Sequence, residues 1–273
     1  MSKRNRNHDR DFKRILFTGD KHCGHILGLT YPDFDARPEG DTVDAKYKLY
    51  RLRRRCWDWF AKEIDLIRPI DIHSDGGDMI EGSMPKLKRK ELLTSDKVEQ
   101  CDCAAAIIDF IGADINVGVY GTGTHVGNKL DWEDVVWRNI KNPGVLSPSA
   151  HYSVNGVVFN VKHHVGRSSV PHTRATAISR ERLWNLIWAE RGEYPKADYI
   201  IRHHTHYYHL VGSDDWEARI CPPLQAKTRF GVERNGDLVH FGFMYADVYE
   251  RGHVEWTVKL LKLNKPRRSL LTL

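Results

Sequence analysis

"ADYIIRHHTH", residues 197–206, starts like a buried strand and runs out into a loop of imidazoles. His203, His204 and His206 stand where the apolar run stops. Histidine accounts for 15 of the 273 residues, so this cluster alone has two readings, coincidence or a metal site. Neutral imidazole is the commonest metal ligand among side chains. Whether the same design recurs elsewhere in the chain decides between them.

It recurs four times. "RILFTGDKHCGH" (14–25), "IDIHSDGGDMIEG" (70–82) and "INVGVYGTGTHVG" (115–127) each read as a short strand followed by a glycine-marked polar loop. "HYSVNGVVFNVKHH" (151–164) carries Asn155-Gly156 between alternating apolar residues, the strongest short-range hairpin signal, and ends on two histidines. Helices are expected between these strands. In 45–69, Leu49, Leu52, Cys56, Phe60, Ile64 and Ile67 recur on one helical face, and Pro69 stops the run. Residues 86–114 open basic and become a second amphipathic helix. A third is expected over 131–140, and another over 172–195, ended by Gly192 and Pro195. Strands are expected near 207–212, 217–222, 238–249 and 252–263. The order predicts one α/β domain of layered sheets with helices outside, over 14–273, after a basic disordered arm at 1–13.

In open α/β sheets ligands bind beyond the carboxyl ends of the strands. Asp20, His22, Asp78, His125, His163, His164, His204 and His206 all fall there. Asp-x-His puts two side chains on one side of an extended segment, and His204 and His206 are related in the same way. Asp78 has two oxygens and can bridge two cations. Mixed Asp and His ligation suits Mn, Fe, Zn or Ni rather than Ca or Mg alone. The donors exceed what one four-coordinate zinc needs, so two divalent ions are expected, with Mn favoured. Asp75 is the rival to Asp78. Only Asp78 has Gly77 before it and Glu81 three residues after it, so Asp75 is read as a solvated loop acid.

"GDKH", "GGD" with Glu81, "GTH", "HHVG" and "HTH" resemble, in order, the five motifs of the calcineurin-like metallophosphoesterase superfamily. The resemblance runs from residue 14 to about 212. It implies a four-layer α-β-β-α sandwich of two mixed sheets flanked by helices. It implies phosphoester hydrolysis by a hydroxide bridging two divalent metals. By position, Asp20, His22, Asp78 and His206 match ligands of the first metal, and Asp78, His163 and His204 match ligands of the second. His125 matches the histidine beside the leaving group, which makes His125 and Asp78 the catalytic candidates. The choice between His163 and His164 stays open, with the position after the strand favouring His163. The family's ligating Asn is here Thr124, whose hydroxyl is a poorer ligand. The second site is therefore expected to be weaker or completed by water. His203 takes the place of the motif's glycine and is not counted as a ligand.

The net charge of +6 and pI near 9.0 favour an anionic partner. "KLKRK" follows the Asp78 loop, so Lys86, Lys88, Arg89 and Lys90 are candidate phosphate contacts at the rim of the site. "RLRRR" (51–55) and "KPRR" (265–268) are read as solvated faces. Residues 15–29 also look like the opening of the superfamily's DNA-repair exonucleases, which points to nucleic acid and to a phosphodiesterase or nuclease. A phosphomonoesterase and a non-catalytic binding module are the alternatives. The five scattered cysteines imply a reducing, cytoplasmic compartment, and the style resembles the stand-alone phosphoesterases of bacteriophages. No apolar run approaches the ~18 residues needed to span a bilayer, so no membrane contact is expected. His73, His151, His209, His240 and His253 are read as structural. In "CDC" (101–103) one cysteine is expected to face the core. Trp184 and Trp188, four apart, are expected in core packing rather than in base stacking.

Overall fold

The computed structural model describes residues 10–40, 44–83, 91–126, 131–168, 170–228 and 239–263. In chain order the elements are β1 (Phe12–Thr18), α1 (Ala45–Ile67), β2 (Ile72–Asp75), α2 (Lys97–Ile111), β3 (Ile115–Val119), α3 (Gly123–Val126), α4 (Trp132–Asn139), β4 (Pro143–Ser147), β5 (Ala150–Val154), β6 (Val157–Val161), α5 (Arg174–Glu190), β7 (Tyr199–Arg202), β8 (His209–Gly212), β9 (Glu217–Ile220), β10 (Gly242–Tyr249) and β11 (Val254–Leu260). They form two mixed sheets. The six-stranded sheet runs β11-β10-β1-β2-β3-β4, and the five-stranded sheet runs β5-β6-β7-β9-β8.

Alternation along β1 explains the layering. Ile15 and Phe17 point into a core shared with Phe159, Val161 and Ile201 of the second sheet. Leu16 points the other way, into a core with Phe60 and Ile64 of α1 and Ile107 of α2. A third cluster packs Ala177 and Ile178 of α5 on Ile200, Ala218 and Ile220. The architecture is therefore the expected α-β-β-α sandwich. Each large aliphatic or aromatic chain buried in these layers contributes about 1.5–3 kcal/mol relative to an exposed one.

Within each sheet the ligand-bearing strands run parallel and end nearly level, which helps gather the site. Thr18 of β1 lies opposite Asp75 of β2, and Asp75 opposite Gly118 of β3. In the second sheet Val161 of β6 lies opposite Ile201 of β7, again in parallel. The hairpin between β5 and β6 turns at Asn155 and Gly156, both with φ near the left-handed region (49° and 85°), as a two-residue primed turn requires. Helix α1 starts where the Asp44 side chain accepts from Lys46 N at 2.8 Å.

Several expectations need correction. Residues 10–13 are not a disordered arm: β1 starts at Phe12, and Arg10 and Lys13 both pair with Asp71, at 3.0 and 3.1 Å. Residues 1–9 lie outside the described residues. The second helix begins only at Lys97, where Asp96 caps Val98 N. Both cysteines of 101–103 are buried, because α2 is covered on nearly every side. Trp184 is 53% exposed, and it stacks on Trp188 at 6.4 Å beside an open groove instead of entering a core. Among the described residues no helix is long and apolar enough to cross a membrane.

Candidate metal centre

Loop geometry brings the candidate ligands inward. Among the described residues seven non-glycine residues have positive φ, and five of them are Asp20, His22, Asp78, His204 and His206. Left-handed backbone costs a non-glycine residue of order 1–3 kcal/mol and concentrates at functional sites. Here it turns side chains from separate strand ends toward one point. His203, between β7 and His204, lies fully buried against Gly19 and Gly76. A Cβ on either glycine would stand within 2.4 Å of its ring. Among the described residues neither His203 nitrogen has a hydrogen-bond partner, and burial lowers its pKa to about 4. It is a packed neutral ring.

Two donor sets meet. Asp20, His22 and His206 form the first. His206 Nε2 lies 3.2 Å from Asp20 Oδ1 and 3.3 Å from His22 Nε2. Asp78, His163 and His204 form the second, with His163 Nε2 3.1 Å from Asp78 Oδ2. Ligands ~2.0–2.2 Å from one ion, at tetrahedral or right angles, stand about 3.0–3.5 Å apart. The observed separations fall in that range. Asp78 joins the sets, since Oδ2 is also 3.9 Å from His22 Nε2. Among the described residues the buried Asp20 Oδ1 has the His206 ring at 3.2 Å but no well-aligned hydrogen bond, an oxygen that a cation would satisfy.

Secondary contacts aim the rings. His163 Nδ1 donates to the Gly76 carbonyl at 2.6 Å, which leaves Nε2 for the second set. Glu81 Oε2 lies 2.7 Å from His22 Nδ1, so His22 Nε2 faces the first set. His125 Nδ1 donates to the Glu81 carbonyl at 2.9 Å, and its ring meets that of His22 edge-on at 4.8 Å. His22, Glu81 and His125 thus make a third cluster of donors beside the first. Glu133, buried at the start of α4, accepts from Met79 N at 2.9 Å and Gly121 N at 2.7 Å. It clamps the Asp78 loop to the His125 loop.

The charge states suit cations. Burial opposes ionisation of Asp20 and Asp78, but His206 and His163 respectively outweigh it and hold both carboxylates well below the usual range. Burial likewise opposes charge on His22 and His163. Glu81 overcomes it at His22, raising the pKa to about 9, and Asp78 at His163, raising it to about 10. The negative field that retains these protons would retain divalent cations. His204, half-buried and close to His163, is lowered to about 4 by desolvation and stays neutral, as a ligand must.

Sequence reasoning placed most of these residues but missed others. His163 is buried in the second set, whereas His164 is exposed, its ring 4.7 Å from that of His204. The Thr124 side chain lies outside the described residues. Thr122, two positions earlier, puts its hydroxyl 3.2 Å from Asp78 Oδ2, 3.1 Å from His163 Nε2 and 3.3 Å from His204 Nδ1. The sequence signal for Thr122 was its place directly after the strand and Gly121. Asp75 is not solvated: it is fully buried, ion-paired with Lys21 Nζ, and accepts from Gly77 N at 3.1 Å. His73 is buried between Thr18 Oγ1 and Asn116 Oδ1, the structural role expected of it. Lys86, Lys88, Arg89 and Lys90 lie outside the described residues.

No protein-family profile matches the chain, and no curated protein sequence does. Among solved structures it is similar to an archaeal phosphodiesterase, at 10% identity and a TM-score of 0.45, over 90% of this chain and 99% of that one. It is also similar to vacuolar protein sorting 29 from Cryptosporidium parvum, at 11% identity and a TM-score of 0.44, over 92% and 98%. A predicted phosphoesterase from Streptococcus pneumoniae aligns at 9% identity and a TM-score of 0.36, over 91% and 98%.

Proposed function

We propose that this chain is a phosphoesterase dependent on two divalent metals, and that its substrates are phosphodiesters of nucleic acid. The observation that carries the reading is Asp78, held between two sets of imidazole and carboxylate donors. Asp20, His22, His206 and Asp78 would hold one ion; Asp78, His163, His204 and the Thr122 hydroxyl would hold the other. Manganese fits this mixture of carboxylate and imidazole, with iron, zinc and nickel as close competitors. Such a pair, when bound, activates a water near neutral pH and neutralises phosphate oxygens.

The protein's own residues supply position and a proton. The Asp78 backbone is anchored where His22 N donates to its carbonyl at 2.9 Å, and Thr122 N donates to its Oδ1 at 2.6 Å. The bridging carboxylate therefore has little freedom to turn away. His125 has Nδ1 committed to Glu81, which leaves Nε2 to give a proton to the leaving oxygen. A basic chain supports an anionic polymer as substrate. Five buried free cysteines support a reducing, intracellular setting.

Manganese-loaded protein should be assayed on single-stranded DNA, duplex DNA, bis-p-nitrophenyl phosphate and p-nitrophenyl phosphate. Diester hydrolysis is expected. Hydrolysis of the monoester alone would overturn the diesterase assignment. Absence of all turnover with both metals bound would make the chain a binding module.

A further inference from the structure

A groove of about 330 Å³ opens on the outer face of the second sheet, between β5–β7 and α5, away from the inter-sheet core. Its walls carry two aromatic stacks. Trp184 and Trp188 stack at 6.4 Å and 21°, and His151 and Tyr194 at 4.6 Å and 10°. Trp184 is 53% exposed and Tyr194 46%, so large rings are held open to solvent. Burial, with Arg202 and Lys162 nearby, lowers the His151 pKa, so that ring is a neutral stacking surface.

The groove is also positively charged. Arg202 is neutralised by Glu181 at 2.8 Å and bonded to Asn160 Oδ1 at 2.7 Å, so it forms a fixed floor. Lys162 is exposed, with no ion-pair partner among the described residues. It is joined directly to His163 of the metal centre, and consecutive Cα atoms are ~3.8 Å apart. Arg202 likewise stands two residues before His204. The groove therefore begins where two of the ligand-bearing strands end.

Stacked aromatic faces beside an exposed lysine, one residue along the chain from a ligand candidate of the metal centre, match the chemistry of an unpaired polynucleotide strand. We propose that this groove is a stacking subsite for the unpaired bases of a single-stranded nucleic acid whose backbone reaches the metal centre past Lys162. The proposal rests on the phosphodiesterase reading but is tested apart from it.

The test is binding of fluorescein-labelled oligothymidylate to the full chain, followed by anisotropy with and without added manganese. Trp184→Ala should weaken binding about 5- to 150-fold, the range for losing one base–aromatic stack. Leu183→Ala, which removes an exposed neighbour on α5 outside the groove, should not. Lys162→Gln should lower the salt dependence of binding by about one phosphate contact. Thermal unfolding of each variant checks that the fold is kept. Equal affinity of wild type and Trp184→Ala would overturn the proposal, as would no binding by the wild type. So would Trp184→Ala dissolving an oligomer, seen by light scattering, without changing affinity, which would make this face a self-association surface. Tryptophan-dependent binding without any diester cleavage would uphold the groove and defeat the enzyme reading. Cleavage with tryptophan-independent binding would do the reverse.

Discussion

Replacing Thr122 by valine would remove one hydroxyl from the middle of the second donor set and little else. That oxygen lies 3.1–3.3 Å from Asp78 Oδ2, His163 Nε2 and His204 Nδ1, and the backbone bond from Thr122 N to Asp78 survives the change. A hydrogen bond to a charged group contributes about 1.5–3 kcal/mol. Loss of a group that orients metal ligands costs about 10–100-fold in metal affinity. The second ion should therefore bind about 10–100-fold more weakly, while the first, held by Asp20, His22 and His206, keeps its affinity. Two-site manganese titration by calorimetry, with bound ion followed by electron paramagnetic resonance, separates the two. Thr124→Val is the comparison, because the motif alone puts the hydroxyl at that position. Weakening in Thr124→Val but not in Thr122→Val would refute the assignment, and equal weakening of both ions in Thr122→Val would refute the separation into two sets.

Other outcomes follow from single contacts. His125→Ala should keep both metals and lose about 10²–10⁴-fold in diester turnover, measured with metal content on the same sample; loss of metal would make His125 a ligand through the His22–Glu81–His125 cluster. Lys21→Met leaves the buried Asp75 charge unpaired and should cost about 3–5 kcal/mol in urea unfolding, largely restored by adding Asp75→Asn. His73 is held at about 4 by burial, against 6.5 when unfolded. The unfolded chain therefore binds the extra proton, and stability falls as pH drops from 6.5 to 4 and then levels off. Between pH 7 and pH 5 this group accounts for about 2 kcal/mol, read as the difference in pH dependence between wild type and His73→Asn in urea unfolding.

The parts of the fold legible in the sequence were those in which one local pattern has one structural solution. Asn155-Gly156 has the backbone freedom of a primed turn, and the apolar face of residues 45–67 demands a helix on a sheet. Strand β4 was not legible: it opens on Pro143, is short, buries no residue fully, and its sequence lacks apolar alternation. The ligand loops were legible because histidine and aspartate recur at strand ends, but the hydroxyl donor was not. One helical turn, closed by His125 N donating to Thr122 O at 2.9 Å, separates the threonine that faces the second donor set from the histidine beside the first. Asp75 was misread because its partner, Lys21, lies across a parallel strand pair that no sequence spacing reveals. A four-residue step gave Trp184 and Trp188 a common helical face, and nothing in the step said that the face would stay uncovered.

Whether Asp78 is shared by two metal ions would be visible in a crystal grown with manganese. Two anomalous peaks are expected on either side of Asp78, one among Asp20, His22 and His206 and one among His163, His204 and Thr122. A single peak without Asp78 as a ligand, or none with manganese bound elsewhere, would contradict the sharing of Asp78.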